Sequence, residues 1–460
     1  MLQNEYRQVL KNSKVLSDFS FLIGEHGTKS HFFYNQIGEY NSKINYEINL
    51  QDVKGDNYLK THSLNQTSKL IERDDYLVSN LIIKSQLMNS RFNASFKIFE
   101  NLTGNRHDRY TYVFPDFEFI KDIDLTDDYN GSFNFSSSGN IKNYETNVTD
   151  ATITNDFLFE SDEFVNKFGF STNYDVLIKN YNYYADNPND KNEDSIYDVF
   201  GIIKIDSSLP LQKKLANNTH YLKPIASFRY SPNGNTDLSN KDTFLNYNNV
   251  FSLNRIGTTS EVEGGAALSL GLEFKRSNNL DFKEFEFKLA NVLKLDEDYR
   301  LPTKSKLNKT RTDIFGNAKY SFDDINNIEY IFSYDRDLKY SNLDQLILNF
   351  GVNNLVSKFE YYTTKKDIGN EENIRNTTTF NLNDENNFKF VLAKDLKEDF
   401  TEFYDLIYTY KTDCISFNLG YNKSFYRDGN LEPSKSLSFL IKIIPFSEFG
   451  VANMKNLIGK

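Results

Sequence analysis

The feature that most constrains this chain is an alternation of apolar and polar residues at period two, repeated from end to end. In "KINYEINL" the residues Ile44, Tyr46, Ile48 and Leu50 share one face, while Lys43, Asn45, Glu47 and Asn49 share the other. "AALSLGLEFK" sets Ala266, Leu268, Leu270, Leu272 and Phe274 against Ala267, Ser269, Gly271, Glu273 and Lys275. The same sorting recurs in "RFNASFKI", "IEYIFSY", "LILNFGV", "NFKFVL" and "KSLSFLIKI". Successive strand side chains point to opposite sides, so each segment offers one apolar face and one wet face. A tilted strand of about 9–11 residues crosses a bilayer, and these segments have that reach. Polar connectors separate them. Some are short ("FDDINN", "LNDENN"), "SPNGNTDLSNKD" is long, and "RDGN" (Arg427 to Asn430) carries an Asp-Gly hairpin signal. Short turns alternating with long acidic loops are the pattern of an outer-membrane barrel, and roughly 20 to 25 residues per strand and connector give on the order of 18 to 22 strands.

Composition supports this reading over a soluble one. Only 39% of residues are apolar, yet aromatics reach 15%, with 40 Phe, 30 Tyr and no Trp, which fits a sheet with one aromatic face and one wet face. A soluble β-sandwich or solenoid also alternates. It would need a thick common core, whereas the polar face here is Asn, Ser, Lys and Glu throughout. No run of about 18 apolar residues exists, so a transmembrane helix is excluded. "MLQNEYRQVLKNSKVL" lacks the apolar core and cleavage site of a signal peptide. The net charge of −11, with acids gathered in "DIDLTDDYNG" and "DNPNDKNEDSIYD", argues against nucleic acid as a partner.

Catalytic and metal-binding patterns are missing. The five histidines, His26, His31, His62, His107 and His220, form no helical pair, and His26 and His31 read as solvated loop residues. Asp122, Asp124 and Asp127 resemble a calcium loop, but the glycine required at the sixth position is absent, leaving an acidic loop. No nucleophile elbow, phosphate loop or dinucleotide fingerprint occurs, and "EGGAALSLG" opens a strand and not a helix. The expectation is a chain that is not an enzyme, with no catalytic, cofactor-binding or metal-binding residues. The single cysteine, Cys414, can form neither an internal disulfide nor a thiolate metal site. With Ser416 and Asn418 as same-parity neighbours it is expected within a strand, on the wet face.

Several stretches in order resemble the lipopolysaccharide-assembly protein family LptD, the organic solvent tolerance proteins. They are "NEYRQVLKNSKVLSDFSFL", "NYLKTHSL", "RYTYVFPDFEF", "NVFSLNRIGTTSEVEGGAALSLGLEF" and "RLPTKSKLNKTRTDIFGNAKYSF". The motif positions are Arg255, Gly257, Glu263, Gly265, Pro302, Asp313 and Asp413. The resemblance implies an all-β fold, a large antiparallel transmembrane barrel of the outer-membrane type. Residues 1–450 would form the C-terminal barrel portion and residues 451–460 a tail. Lacking the family's jelly roll and upstream cysteine, the chain is read as an incomplete barrel that starts several strands in. In that family the barrel cysteine is joined to the jelly-roll segment, so Cys414, beside Asp413, is the candidate for half of an interdomain disulfide.

The resemblance also implies a function: insertion of lipopolysaccharide (LPS) into the outer leaflet of the cell outer membrane through a lateral opening of the barrel. The implied partners are LPS, a plug lipoprotein of the LptE type, a periplasmic β-bridge protein of the LptA type and outer-membrane lipid. The alternative is a general porin or a substrate-specific outer-membrane channel. "PSKSLSFLIKIIPF" is expected to be the last strand and one side of the opening, its outer face carrying Leu437, Phe439, Ile441 and Ile443. Pro433 and Pro445 bracket it, and neither can donate a ladder hydrogen bond.

Overall fold

The computed structural model describes residues 2–24, 27–61, 64, 70–71, 73–104, 108–125, 130–145, 147–187, 194–232, 237–258, 260–278, 280–366, 368–425, 434–443 and 447–451. Two compact units divide the chain: Met1–Asp162 with Val176–Gly201, and Glu163–Asp175 with Ile202–Lys460.

The first unit is an antiparallel meander. Its strands are β1 (Leu2–Val9), β2 (Ser13–Gly24), β3 (Gly27–Asn41), β4 (Ile44–Lys54), β5 (Tyr76–Leu87), β6 (Ser90–Asn101), β7 (Tyr110–Asp124), β8 (Gly131–Tyr144) and β9 (Val148–Ser161). Between β4 and β5 lies α1 (Tyr58–Thr61), the one helix among the described residues. Sequential neighbours pair throughout, as in Asp18↔Phe33 between β2 and β3 and Asn45↔Lys84 between β4 and β5. The connections 10–12, 42–43 and 88–89 lie at one end of the meander, and the far longer 55–75 lies at the other. One face carries Phe19, Phe21, Phe32 and Phe157, each 39–46% exposed. Neighbouring rings meet across that face, with the centroids of Phe135 and Phe157 4.8 Å apart. The opposite face is polar and holds ion pairs such as Lys179 to Asp156 at 2.7 Å.

Two segments follow that have residues in both units, β11 (Ser171–Asp186) and β12 (Asp194–Ser208), with the two-residue β10 (Phe164–Val165) before them. The second unit continues with β13 (Leu211–Lys214), β14 (Asn218–Ser231), β15 (Gly265–Asn278), β16 (Glu284–Lys294), β17 (Ile314–Ser321), β18 (Asn327–Tyr334) and β19 (Ser341–Val352). It ends with β20 (Leu355–Thr364), β21 (Glu371–Asn381), β22 (Asn386–Asp395), β23 (Phe400–Lys411), β24 (Ile415–Ser424), β25 (Ser434–Ile443) and β26 (Ser447–Val451). β12 and β13 keep one register against β14, Ser208↔Ile225 and then Leu211↔Leu222. Pro210, which has no N–H to give, divides one strand into two.

The alternation predicted from sequence is therefore realised, and the alternating residues of the segments, from Ile44–Leu50 to Leu437–Ile443, lie in strands. Among the described residues the strand segments run from β1 to β26, more than the expected 18 to 22. Several turns are shorter than the sequence estimate allowed. The connection between β19 and β20 is Asn353–Asn354 alone, with Asn353 at φ +51°, a conformation asparagine tolerates in tight hairpins.

Candidate functional site

The polar face of β14–β16 is covered over part of its length. Two connectors, 232–264 and 295–313, fold onto it and build an apolar core around Leu238, Leu245, Val250, Ile256, Leu301 and Leu307, against Ala267, Ala290, Val292 and Phe315 of the strands. The connectors also bond to each other, the Leu238 N–H donating to the carbonyl of Arg300 at 2.7 Å. Sequence reasoning treated the first part of one of these segments, 231–242, as a polar connector. The signal it passed over was the spacing of apolar residues inside them, at Leu238, Leu245, Val250, Ile256 and Val262.

Beneath this core lies a charged cluster centred on Glu263, which is fully buried. Arg255 grips its carboxylate in a fork, Nε to Oε2 at 2.8 Å and Nη2 to Oε1 at 2.7 Å. Its remaining arm donates to Ser269 Oγ of β15 at 3.1 Å, and that hydroxyl donates to the carbonyl of Val250 at 3.1 Å. Arg229 of β14 donates to the carbonyls of Leu253 at 2.7 Å and Glu263 at 2.6 Å. Lys294, at the end of β16, places Nζ 3.4 Å from Oε1 of Glu263. One carboxylate thus faces three cations from two strands and a connector. Burial pushes the Glu263 carboxyl up, but the charges of Arg255, Arg229 and Lys294 prevail and hold it at about 2. Burial, with Glu273 as hydrogen-bond acceptor, pushes the nearby Tyr247 phenol up.

Six of the seven motif positions belong to this assembly. Gly257 and Gly265 adopt φ +73° and +85°, left-handed conformations that admit glycine without strain. They let the connector turn back before and after the Arg255–Glu263 fork. Pro302 is buried in the second connector, its carbonyl accepting from Ser305 Oγ at 2.8 Å. Asp313 ends that connector and accepts from Ser333 Oγ of β18 at 3.1 Å and Asn342 Nδ2 of β19 at 2.6 Å. Asp413 is the exception and lies exposed in the turn 412–414 between β23 and β24. Arg229, Lys294, Ser269 and Asn342 complete the cluster and were not anticipated. Arg229, Lys294 and Ser269 are ordinary polar-face residues by pattern that only the folding over of the connectors distinguishes, whereas Asn342 sits at the register shift between β18 and β19.

Cys414 is not within a strand. It is an exposed turn residue immediately before β24, its N–H 3.4 Å from Thr412 Oγ1. The apparent alternation runs into a turn because Thr412 takes the hairpin contact to the carbonyl of Ile415. The chain has no second cysteine to pair with it.

The segment expected to end the sheet does not end it. β25 pairs with β24 on one side and with β26 on the other, Phe439↔Val451 through Ile443↔Ser447. Leu437 and Phe439 are 70% and 40% exposed, as an outward face requires. Ile441 is half-buried, Ile443 lies opposite Ile415, and Pro433 and Pro445, like Arg427–Asn430, lie outside the described residues.

His31 also departs from its reading as a solvated loop residue. It lies on β3 at 2% exposure, with Nδ1 2.6 Å from Ser20 Oγ and Nε2 3.4 Å from Asp18 Oδ1. Ser20 Oγ is also 2.7 Å from the hydroxyl of Tyr58 on α1. This Ser-His-Asp set is buried beside α1 and the core of Phe33, Leu59, Leu64 and Leu77, where it fastens a connector to the strands. His26, His62, His107 and Asp127 lie outside the described residues.

Antiparallel strands long enough to span a bilayer, with aromatic faces left exposed, define a protein of the outer-membrane β-barrel class. No helix among the described residues is long and apolar enough to cross a membrane. Residues 27–389 match the family described as LPS transport system D, LptD, and the chain belongs to that family, a family of outer-membrane transport components. No curated protein matches the chain. Among solved structures, the siderophore receptor PirA from Pseudomonas aeruginosa is similar at 10% identity and a TM-score of 0.49, over 95% of this chain and 80% of that one. A variant of the ferric enterobactin receptor PfeA from the same organism is similar at 11% identity and a TM-score of 0.36, over 95% and 74%. Likeness of this size bears on neither ligand nor mechanism.

Proposed function

We propose that this chain is the outer-membrane component that inserts LPS into the outer leaflet, by way of a lateral opening between the first and last strands of the barrel, and that it is not an enzyme. The observation that carries this reading is the LptD match across residues 27–389. A lipoprotein of the LptE type and a periplasmic bridge protein of the LptA type are the partners this role calls for.

The test is depletion of the protein followed by enzymatic labelling of LPS at the cell surface. Loss of surface LPS while other barrels still assemble is the expected outcome, and unchanged surface LPS would overturn the proposal. Cysteines placed across the first and last strands of the intact protein test the opening. A crosslinked but folded protein should stop export, and normal export from a fully crosslinked seam would refute the gate.

A further inference from the structure

The first unit holds a pocket of about 590 Å3 at the end of β1–β5 that carries the connections 10–12 and 42–43. Three lysines line it, Lys11, Lys14 and Lys84, together with Glu39, Glu47 and Tyr46. The registers place most of these groups on one face. Directly opposed residues of an antiparallel pair share a side, and the pairs here are Lys14↔Ile37, Ile37↔Glu47, Glu39↔Asn45 and Asn45↔Lys84. Lys14 also has the strand parity of Asp18 and Ser20, so the pocket belongs to the polar face of the unit.

The lysines are uncommitted. Among the described residues no ion pair involves Lys11, Lys14 or Lys84, whereas Lys97 and Lys179 of the same unit are paired with Asp116 and Asp156. Glu39 is likewise unpaired, and Glu47 accepts only a long bond from Asn35 Nδ2 at 3.4 Å. Three free ammoniums favour phosphate oxygens. The two carboxylates and the amides of Asn12 and Asn45, which also line the pocket, work against a bare polyanion and suit sugar hydroxyls. The short turns of outer-membrane barrels face the periplasm, which puts this pocket at the end where a lipid would be delivered.

We propose that the pocket binds the phosphorylated sugar headgroup of a glycolipid, with phosphates on Lys11, Lys14 and Lys84 and hydroxyls on the carboxylates and asparagines. The identity of that glycolipid rests on the LPS transport reading above. The binding chemistry does not, so the two fail separately.

The test is titration calorimetry on the purified full chain in detergent, with three probes: a deacylated bis-phosphorylated glucosamine disaccharide, the same disaccharide without phosphates, and inorganic phosphate. The phosphorylated disaccharide should bind about tenfold or more tighter than either of the others. The triple variant K11Q/K14Q/K84Q should lose about tenfold in affinity for it, and the triple Lys→Arg variant should stay within about threefold of the parent. All three lysines are exposed, and a heat-modifiability gel confirms that the variants fold. Equal binding of the two disaccharides, or no effect of the Gln triple, overturns the proposal. Inorganic phosphate binding as tightly as the phosphorylated disaccharide reduces the pocket to a simple anion site and overturns the headgroup assignment. Headgroup binding together with unchanged surface LPS on depletion would sink the transport reading and leave the pocket standing.

Discussion

Replacing Glu263 by Gln keeps the volume and removes the charge on which the connector assembly is centred. Arg255, Arg229 and Lys294 then remain buried, at 3%, 3% and 8% exposure, with no carboxylate among them. Breaking a buried ion pair from one side costs about 3–5 kcal/mol, because the uncompensated partner stays desolvated. The carboxyl itself gives a similar figure. Its fall from 4.5 to about 2 corresponds to about 3 kcal/mol at roughly 1.4 kcal/mol per pKa unit. At that same rate per decade the open population of the connectors should rise by about a hundredfold, without global unfolding, since the ladders of β14–β17 do not pass through Glu263. Limited trypsin digestion reads this directly. Lys241, Arg300, Lys304 and Lys306 lie in the two connectors and should be cut far faster in the variant, while the strands stay protected. In an Arg255→Met background the same Glu263→Gln change should cost much less, since the two residues act as one unit. Cleavage within about threefold of the parent would refute the view that this carboxylate holds the connectors down.

Acid should act like the substitution. A depressed carboxyl contributes stability that is fully present above about 4.5 and disappears as the pH falls to about 2, so hydrogen exchange in 295–313, corrected for intrinsic rates, should rise in that window. Leu270→Lys, on the outward face at 43% exposure, should cost about 2–4 kcal/mol in folding into bilayers. Ser269→Lys should loosen the connectors to protease, because Ser269 is covered by Arg255 and Val250 and not by water. Tyr58→Phe should lower the protection of α1 by about 1 kcal/mol in hydrogen exchange, through loss of the contact with Ser20. Cys414 should react with maleimide in the folded protein at nearly the rate of the unfolded chain, since it is exposed in a turn. A protected thiol there would show that the turn is covered.

The amino-acid sequence by itself determined the strands, their faces and the class of protein. Period-two alternation is a local property, and every quoted segment, from Ile44–Leu50 to Leu437–Ile443, kept its strand because side-chain direction follows from backbone geometry alone. The ordered motifs likewise pointed to the family that residues 27–389 match. Only the tertiary structure decided which polar residues matter. Ser269, Arg229 and Lys294 have the same local pattern as any wet-face residue, and they became a buried charge cluster because connectors distant in sequence fold over them. Cys414 and β25 were misplaced for a related reason: where a strand turns, and whether another pairs beyond it, is set by contacts such as Thr412 to Ile415 and Phe439 to Val451. The same holds for His31, whose Ser20 and Asp18 neighbours come from the facing strand and Tyr58 from α1. Burial and charge pairing are sums over neighbours that a one-dimensional pattern does not contain, whereas the face a side chain takes is fixed by its own strand.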